Sequence, residues 1–166
     1  MKQLSVALLS VLACTGICSS CIGRDVVWDI NPVNTYMEIV DRSGANLFDE
    51  ATPGNWLEES ISATFEGETW SYPAEEETRA YMPTMYGLRV VEYGSSTEPP
   101  RPVLFFGELS GETERNSDLV ITWPDGTEDT LTISREFRWK ANGAPDGKTV
   151  WKLNGKETGI PIRIVK

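Results

Sequence analysis

The most regular stretch of this chain reads Thr130-Leu131-Thr132-Ile133-Ser134-Arg135-Glu136-Phe137-Arg138-Trp139-Lys140. Apolar and polar side chains alternate along it, and a period of two places them on opposite faces of a β-strand. Arg135 is the exception on the apolar face, which we expect where a strand lies at a sheet edge. The stretch therefore predicts a half-buried strand whose Trp139 packs in the core.

Turn signals flank this strand and recur along the chain. Pro124-Asp125-Gly126 precedes it, Glu66-Gly67 separates two short apolar runs, and Asn154-Gly155 follows another run. Glycine supplies the positive φ of tight turns, so each signal predicts an antiparallel hairpin. The expected strands cover residues 35–40, 63–65, 68–70, 88–93, 103–109, 117–123, 130–140, 150–153 and 160–165.

Helical signals are weak throughout the chain. No window of a dozen residues keeps the helical period, and the only weak helical candidate is residues 55–60. Pro99, Pro100 and Pro102 indicate a loop between two strands. The sequence therefore predicts an all-β fold, an antiparallel, immunoglobulin-like β-sandwich of about seven to nine strands.

The N-terminal segment has the composition of a secretory leader. Lys2 precedes an apolar run, and small residues follow it up to Cys21. The run is shorter than the roughly 20 apolar residues that a membrane span needs. Ser19-Ser20-Cys21 resembles a bacterial lipoprotein processing site, at which the cysteine is lipidated and becomes the first mature residue. The predicted segments are a removed signal peptide over residues 1–20, a tether over 21–28, and a single sandwich domain over 29–166.

The other two cysteines leave alternatives to lipidation at Cys21. Cys14 follows an aliphatic position that suits processing, whereas Cys18 stands where the lipoprotein motif usually has an aliphatic residue before Cys21. Ordinary signal-peptide cleavage would leave free thiols. Cys18 and Cys21 also form a CxxC pair, a weak redox or metal signal because neither a second pair nor a histidine accompanies it.

Residue types limit the chemistry. The chain has no histidine, which excludes Ser-His-Asp and Cys-His arrangements and imidazole zinc ligands. We expect no cofactor, no metal and no catalytic residue. A carboxylate-dependent enzyme acting on glycans remains an alternative, because two acidic groups suffice for glycoside hydrolysis. The densest acidic run, Glu75-Glu76-Glu77, is more typical of a solvated loop.

An oxygen-rich loop at residues 41–49 is a candidate for calcium. It lacks the residue order of an EF-hand and a bidentate glutamate at the twelfth place. A turn whose backbone is set by Asp41 and Gly44 is the favoured interpretation.

Charge and aromatic content bear on the partner. The net charge of −10 argues against nucleic acid, although residues 135–166 carry eight basic and three acidic side chains. Six tryptophans are present, and exposed aromatic rings are what sugar-binding modules stack on sugar rings. Trp123 is expected in the core. The candidate ligand-facing aromatics lie near turns or strand ends, with packing as the alternative: Trp28, Trp56, Trp70, Tyr72 and Trp151.

The leader and several turn motifs together resemble a known class of proteins. The motifs are Trp28-Asp29-Ile30-Asn31-Pro32-Val33, Asp41-Arg42-Ser43-Gly44-Ala45-Asn46-Leu47, Phe106-Gly107-Glu108-Leu109, Trp123-Pro124-Asp125-Gly126 and Leu153-Asn154-Gly155-Lys156. The chain is similar to the small cell-envelope lipoproteins of Bacteroidetes-type bacteria, many of which resemble immunoglobulin-like sandwiches. The resemblance implies a protein lipid-anchored to the outer membrane, on its periplasmic or surface face.

The expected function is that of a lipid-anchored binding or interaction module for a glycan or an envelope protein. Two alternatives stand beside it. One is a glycan-acting enzyme or carbohydrate-binding accessory protein. The other is an assembly subunit that pairs with another chain through an edge strand formed by residues 160–166.

Overall fold

A computed structural model describes residues 33–73, 87–109 and 114–166 of the chain. The leader with Cys21, Trp28 and the Glu75-Glu76-Glu77 run lie outside these ranges. The described residues contain no helix and form the following ten strands. They are β1 Val33–Val40, β2 Ile61–Phe65, β3 Glu68–Tyr72, β4 Gly87–Ser95, β5 Glu98–Leu109, β6 Glu114–Thr122, β7 Glu128–Trp139, β8 Pro145–Leu153, β9 Lys156–Thr158 and β10 Ile162–Val165.

The strands form two sheets. One has four strands in the order β10-β1-β5-β4, and the other has six in the order β3-β2-β6-β7-β8-β9. Neighbouring strands are antiparallel except β1 and β10, which pair in parallel with Met37 opposite Ile162. The predicted all-β, antiparallel sandwich is confirmed, with ten strands in place of about nine. It resembles immunoglobulin domains in being built from two sheets.

Alternation along the strands places the core between the sheets. In β2, Ile61 and Ala63 are fully buried, while the intervening Ser62 and Thr64 face outward. The same pattern buries Leu131 and Ile133 of β7 under the other sheet. The outer face of the six-stranded sheet carries mainly serine, threonine and charged residues, as the alternation predicts.

The predicted hairpin turns are confirmed. Glu66 and Gly67 join β2 to β3 with φ of 49° and 84°, and Asn154 and Gly155 join β8 to β9 with φ of 49° and 80°. Two successive positive φ angles match the right-handed twist of the strands that they connect. Gly126, with φ of 77°, closes the turn between β6 and β7.

Two predictions about local structure are wrong. Residues 55–60 form turns, because Gly54 at φ of 72° directs the chain away from a helix and only isolated bonds such as Glu59 N–H to Trp56 O form. The prolines at 99, 100 and 102 lie inside β5. The part of β5 that contains them pairs only with β4 among the described strands. Proline has no backbone N–H to donate, but no second neighbouring strand needs such a donor here.

Two further predictions about β7 are corrected. Trp139 is 54% exposed and lies outside the core, because β7 continues beyond Arg135, its last residue that pairs with β6. Arg135 does not lie at a sheet edge, since it pairs with Glu114 of β6 and with Thr149 of β8. Its guanidinium lies against Gly147 and donates to the Thr149 hydroxyl at 3.2 Å.

A two-stranded ribbon projects from the sandwich as a result. Beyond Arg135, the only described partner of β7 is β8, and the pairing continues to Trp139 opposite Pro145. Residues 135–149 are called the ribbon below. Gly143, at φ of 76°, closes its end.

The alternation makes a stability prediction. We expect Leu131→Ala to lower the free energy of unfolding by about 2–5 kcal/mol, because the lost side chain leaves a cavity between the sheets. Thr130→Ser, on the adjacent outward position, should cost less than about 1 kcal/mol. Urea denaturation of both variants measures the two effects, and equal losses would contradict the assignment of inner and outer faces.

Candidate functional site

The structure distributes the candidate aromatics around the core. Trp28 lies outside the described residues. Trp56 packs beside Trp123 with ring centroids 5.9 Å apart, and the Tyr72 hydroxyl donates to the Leu57 carbonyl at 2.9 Å. Trp151 is half-buried, and its indole N–H has no hydrogen-bond partner among the described residues. All four described aromatics therefore contact the core instead of forming one shared external patch.

Trp70 differs from the other three because it lines a cleft. The cleft has a volume of about 260 Å³ and opens beside the β2–β3 turn. Its walls come from both sheets: Phe65, Glu66, Glu68 and Trp70 of the six-stranded sheet, Phe106 and Gly107 of β5. We call it the Trp70 cleft.

Local packing fixes the aromatic wall of the Trp70 cleft. The ring of Trp70 meets that of Phe106 edge-on, with centroids 5.2 Å apart. Gly87 lies under the indole, and a Cβ there would come within 3.3 Å of Trp70 Cδ1. The absence of a side chain at Gly87 thus lets the β4 backbone approach the Trp70 ring closely and hold it in place.

The polar wall of the Trp70 cleft comes from the tight turn. Glu66 occupies a turn position and Glu68 pairs with Phe65 at the start of β3, so both carboxylates lie at the mouth. Both side chains are exposed. The cleft thus combines an indole wall with two carboxylate acceptors, a combination suited to a small polyhydroxylated ligand.

The outer face of the four-stranded sheet carries a second aromatic cluster that the sequence analysis missed. Val103 is fully buried and Phe105 is 5% exposed, although neither belongs to the core between the sheets. Tyr36 covers Phe105 with ring centroids 5.3 Å apart, and the Arg89 guanidinium lies 4.9 Å from the Phe105 ring centroid. Only the pairing register, which places Tyr36 opposite Phe105 and Phe105 opposite Arg89, brings these residues together.

A polar clamp joins the two sheets at one end. The carboxylate of Asp129 accepts hydrogen bonds from Trp123 Nε1 at 2.8 Å, Asn154 Nδ2 at 2.6 Å and Lys166 Nζ at 2.6 Å. Lys166 follows β10 of the other sheet, and its ammonium also lies 4.8 Å from a Trp123 ring centroid. We call these four residues the Asp129 clamp.

Electrostatics of the Asp129 clamp hold its carboxylate in the charged form. Burial alone would raise the pKa of Asp129, but the hydrogen bonds from Lys166, Asn154 and Trp123, together with the charge of Lys166, lower it overall. Three donors from the protein already bind the Asp129 carboxylate, so we assign the clamp a structural role.

Other carboxylates with shifted pKa values also have structural partners. Hydrogen bonds from the Ser43 hydroxyl and the Ala45 backbone lower the pKa of Asp41, which confirms the turn predicted there. The pKa of Asp125 is lowered by hydrogen bonds from the Thr127 side chain and backbone. A general acid needs a raised pKa, and Asp41, Asp125 and Asp129 therefore lack that property.

The described residues show neither a metal-binding cluster nor a membrane-spanning helix. Within residues 33–73, 87–109 and 114–166, no group of three or more acidic or cysteine side chains is placed to hold a metal ion. In the same part of the chain, no helix is long and apolar enough to cross a membrane.

Comparison of the chain with protein families, with curated proteins and with solved structures gave no match. The fold and its cleft define the class of protein: an all-β sandwich with a small lateral cleft that has one aromatic and one acidic wall.

The Asp129 clamp predicts a pH-dependent stability. A folded-state pKa below the unfolded value stabilises the fold above about pH 4, and that stabilisation is lost as the pH falls through the folded-state pKa. We expect Asp129→Asn to cost about 1–3 kcal/mol near pH 7, because Lys166 loses its charged partner. The difference from the wild type should shrink in acid, as urea titrations at both pH values would show.

Glu128→Gln is the matched control for this prediction, since Glu128 is the exposed neighbour of Asp129. It should change stability by less than about 0.5 kcal/mol. A constant deficit of Asp129→Asn from neutral to acidic pH would contradict the role of the charge.

Proposed function

We propose that this protein is a lipid-anchored, non-catalytic binding module of the bacterial cell envelope, and that its ligand is a glycan held in the Trp70 cleft. The observation that carries the proposal is the cleft itself, which places an indole wall beside two glutamates at its mouth.

The chemistry of the Trp70 cleft matches that of a saccharide. Aromatic side chains provide apolar surface for the C–H face of a sugar ring, and carboxylates accept hydrogen bonds from its hydroxyl groups. A volume of about 260 Å³ suits a single sugar unit, such as the end of a chain. The shallow mouth would let the remainder of the glycan extend into solvent.

Hydrolysis of the bound glycan is the second candidate function. It is favoured by one observation, the presence of Glu66 and Glu68 together beside Trp70. Glycosidases need one carboxyl group whose pKa is raised by an apolar environment. Glu66 in the turn and Glu68 at the start of β3 are both exposed to solvent and not enclosed by apolar side chains, so binding is the better supported function.

The anchor is proposed from the leader and from the chain that follows it. The three cysteines all precede residue 22, so no disulfide crosses the sandwich, and Cys21 is left for lipidation. The resemblance of the leader to Bacteroidetes-type lipoproteins points to the outer membrane, facing either the periplasm or the exterior. Eleven residues, 22–32, separate Cys21 from the first described residue, Val33.

The assembly alternative has weaker support. β10 pairs with β1 alone among the described strands, so its other edge has no partner strand within residues 33–73, 87–109 and 114–166. It is only four residues long and carries Arg163, with Lys166 just beyond it. Short, charged edges are a common protection against pairing with other chains.

The anchor predicts where the protein is found in cells. The wild-type chain should fractionate with membranes, and Cys21→Ala should leave them, because the mature chain then lacks its acyl groups. Cys14→Ala is the matched control and should behave as the wild type. Membrane retention of Cys21→Ala, or release of Cys14→Ala, would contradict lipidation at Cys21; immunoblots of cell fractions give the answer.

The Trp70 cleft predicts saccharide binding that depends on its glutamates. Detergent-solubilised full-length protein is applied to a glycan array, and the saccharides that it binds are titrated. We expect Glu66→Gln with Glu68→Gln to weaken binding at least about tenfold, or about 1.4 kcal/mol, because both charged acceptors are lost. Glu157→Gln on the opposite edge of the same sheet should leave the affinity unchanged.

The array also separates the two candidate functions. Binding without release of new reducing ends is expected from a module, whereas release that the same double substitution abolishes would establish the hydrolase. Array binding that is unaffected by the double substitution would rule out the Trp70 cleft as the site.

A further inference from the structure

The ribbon is the most exposed aromatic feature of the described chain. Phe137 and Trp139 lie on one of its faces, with ring centroids 5.3 Å apart at 85°. Pro145 lies opposite Trp139, and Gly147 lies opposite Phe137. Trp139 is 54% exposed, so its indole presents apolar surface to the surroundings at the projecting end.

The charge of the ribbon is opposite to that of the whole chain. It carries Arg135, Arg138, Lys140 and Lys148 against Glu136 and Asp146, whereas the full sequence has 25 acidic and 15 basic residues. Arg138 and Lys140 lie 2.9 Å and 3.4 Å from Asp146, on the face of the ribbon opposite to Phe137 and Trp139, so basic side chains and aromatic rings occupy the two faces of one short ribbon. Hydrogen bonds from Arg138 and Lys140 lower the pKa of Asp146, which stays charged.

Topology places the ribbon at the same end of the sandwich as the start of β1. Val33 pairs with Leu109 at the end of β5, and only residues 110–113 separate Leu109 from β6. β6 begins at Glu114 opposite Arg135, where the ribbon leaves the sandwich. The four residues from Arg135 to Trp139 then extend about 14 Å further in the same direction.

The geometry points to a second membrane contact: the ribbon docks its aromatic pair into the headgroup region of an anionic bilayer, the one in which the lipid on Cys21 is inserted. This inference rests on the proposed anchor. The twelve Cα–Cα steps from Cys21 to Val33 span at most about 43 Å, so the start of β1 stays within about that distance of the bilayer. Tryptophan prefers the membrane–water interface, and neighbouring basic side chains are attracted to anionic lipids.

The anchor selects the bilayer over a second copy of the chain, whose acidic body would also attract a basic ribbon, and charge complementarity selects the bilayer over a neutral sugar. A basic ribbon on an acidic body would turn towards an anionic surface, while the acidic body is repelled from it. The two contacts, lipid and ribbon, would fix the orientation of the domain and keep the Trp70 cleft in a defined position relative to the membrane.

Fluorescence quenching tests the contact. Full-length lipidated protein is reconstituted into vesicles of phosphatidylethanolamine and phosphatidylglycerol that contain phospholipids brominated on the acyl chains. The difference in quenching between the wild type and Trp139→Phe reports the contribution of Trp139 among the six tryptophans. We expect clear quenching of this contribution, and at least a threefold reduction in phosphatidylcholine vesicles or at about 1 M salt, where charges are screened.

A pair of charge substitutions provides the matched control. Lys140→Gln should reduce the quenching of Trp139, whereas Lys152→Gln, an equal change on an exposed position of β8 outside the ribbon, should not. Protein that floats with the vesicles but shows no quenching of Trp139 would overturn the ribbon contact and leave the anchor standing. Shielding of Trp139 from iodide without lipid quenching would assign the ribbon to a protein partner and equally overturn it. Failure of the wild type to float would overturn the anchor, and the ribbon contact with it.

Discussion

Contact between the inner faces of the two sheets is the constraint on which the rest of the structure depends. No disulfide crosses residues 22–166, so the sheets are held by alternating apolar side chains such as Ile121 and Leu131, both fully buried. This contact also positions the cleft, since Trp70 from one sheet meets Phe106 from the other. The Asp129 clamp adds a charged connection at a point where the apolar layer ends.

The sequence predicted the architecture because each relevant signal is local. The period of two in residues 130–134 and the Glu66-Gly67 and Asn154-Gly155 turns depend only on neighbouring residues, and the structure confirms them. The prediction for Trp139 is wrong because burial depends on how far the neighbouring strands extend, and β6 stops pairing with β7 at Arg135, which alternation does not encode. The Asn142-Gly143 pair lies between two charged segments, and because Asn-Gly is a strong hairpin-turn signal it indicates the end of the ribbon.

The candidate site was only partly predictable for a related reason. Trp70 was identified as a possible ligand-facing residue from its place near a turn, but the sequence does not show that Phe106 and Gly107 face it across the sandwich. The sequence does not single out Glu66 and Glu68, because the chain has 25 acidic residues and any one pair of them is uninformative. The cluster of Tyr36, Phe105 and Arg89 likewise depends on strand pairing between distant segments.

The parallel pairing of β1 with β10 has a consequence for how the domain folds. Met37 and Ile162 are neighbours in the sheet, although nearly the whole domain separates them along the chain. The four-stranded sheet therefore stays incomplete until the last strand has been synthesised, and such nonlocal pairing is intrinsically slow. A nascent chain of this protein therefore lacks the parallel partner of β1 until residues 162–165 have been synthesised.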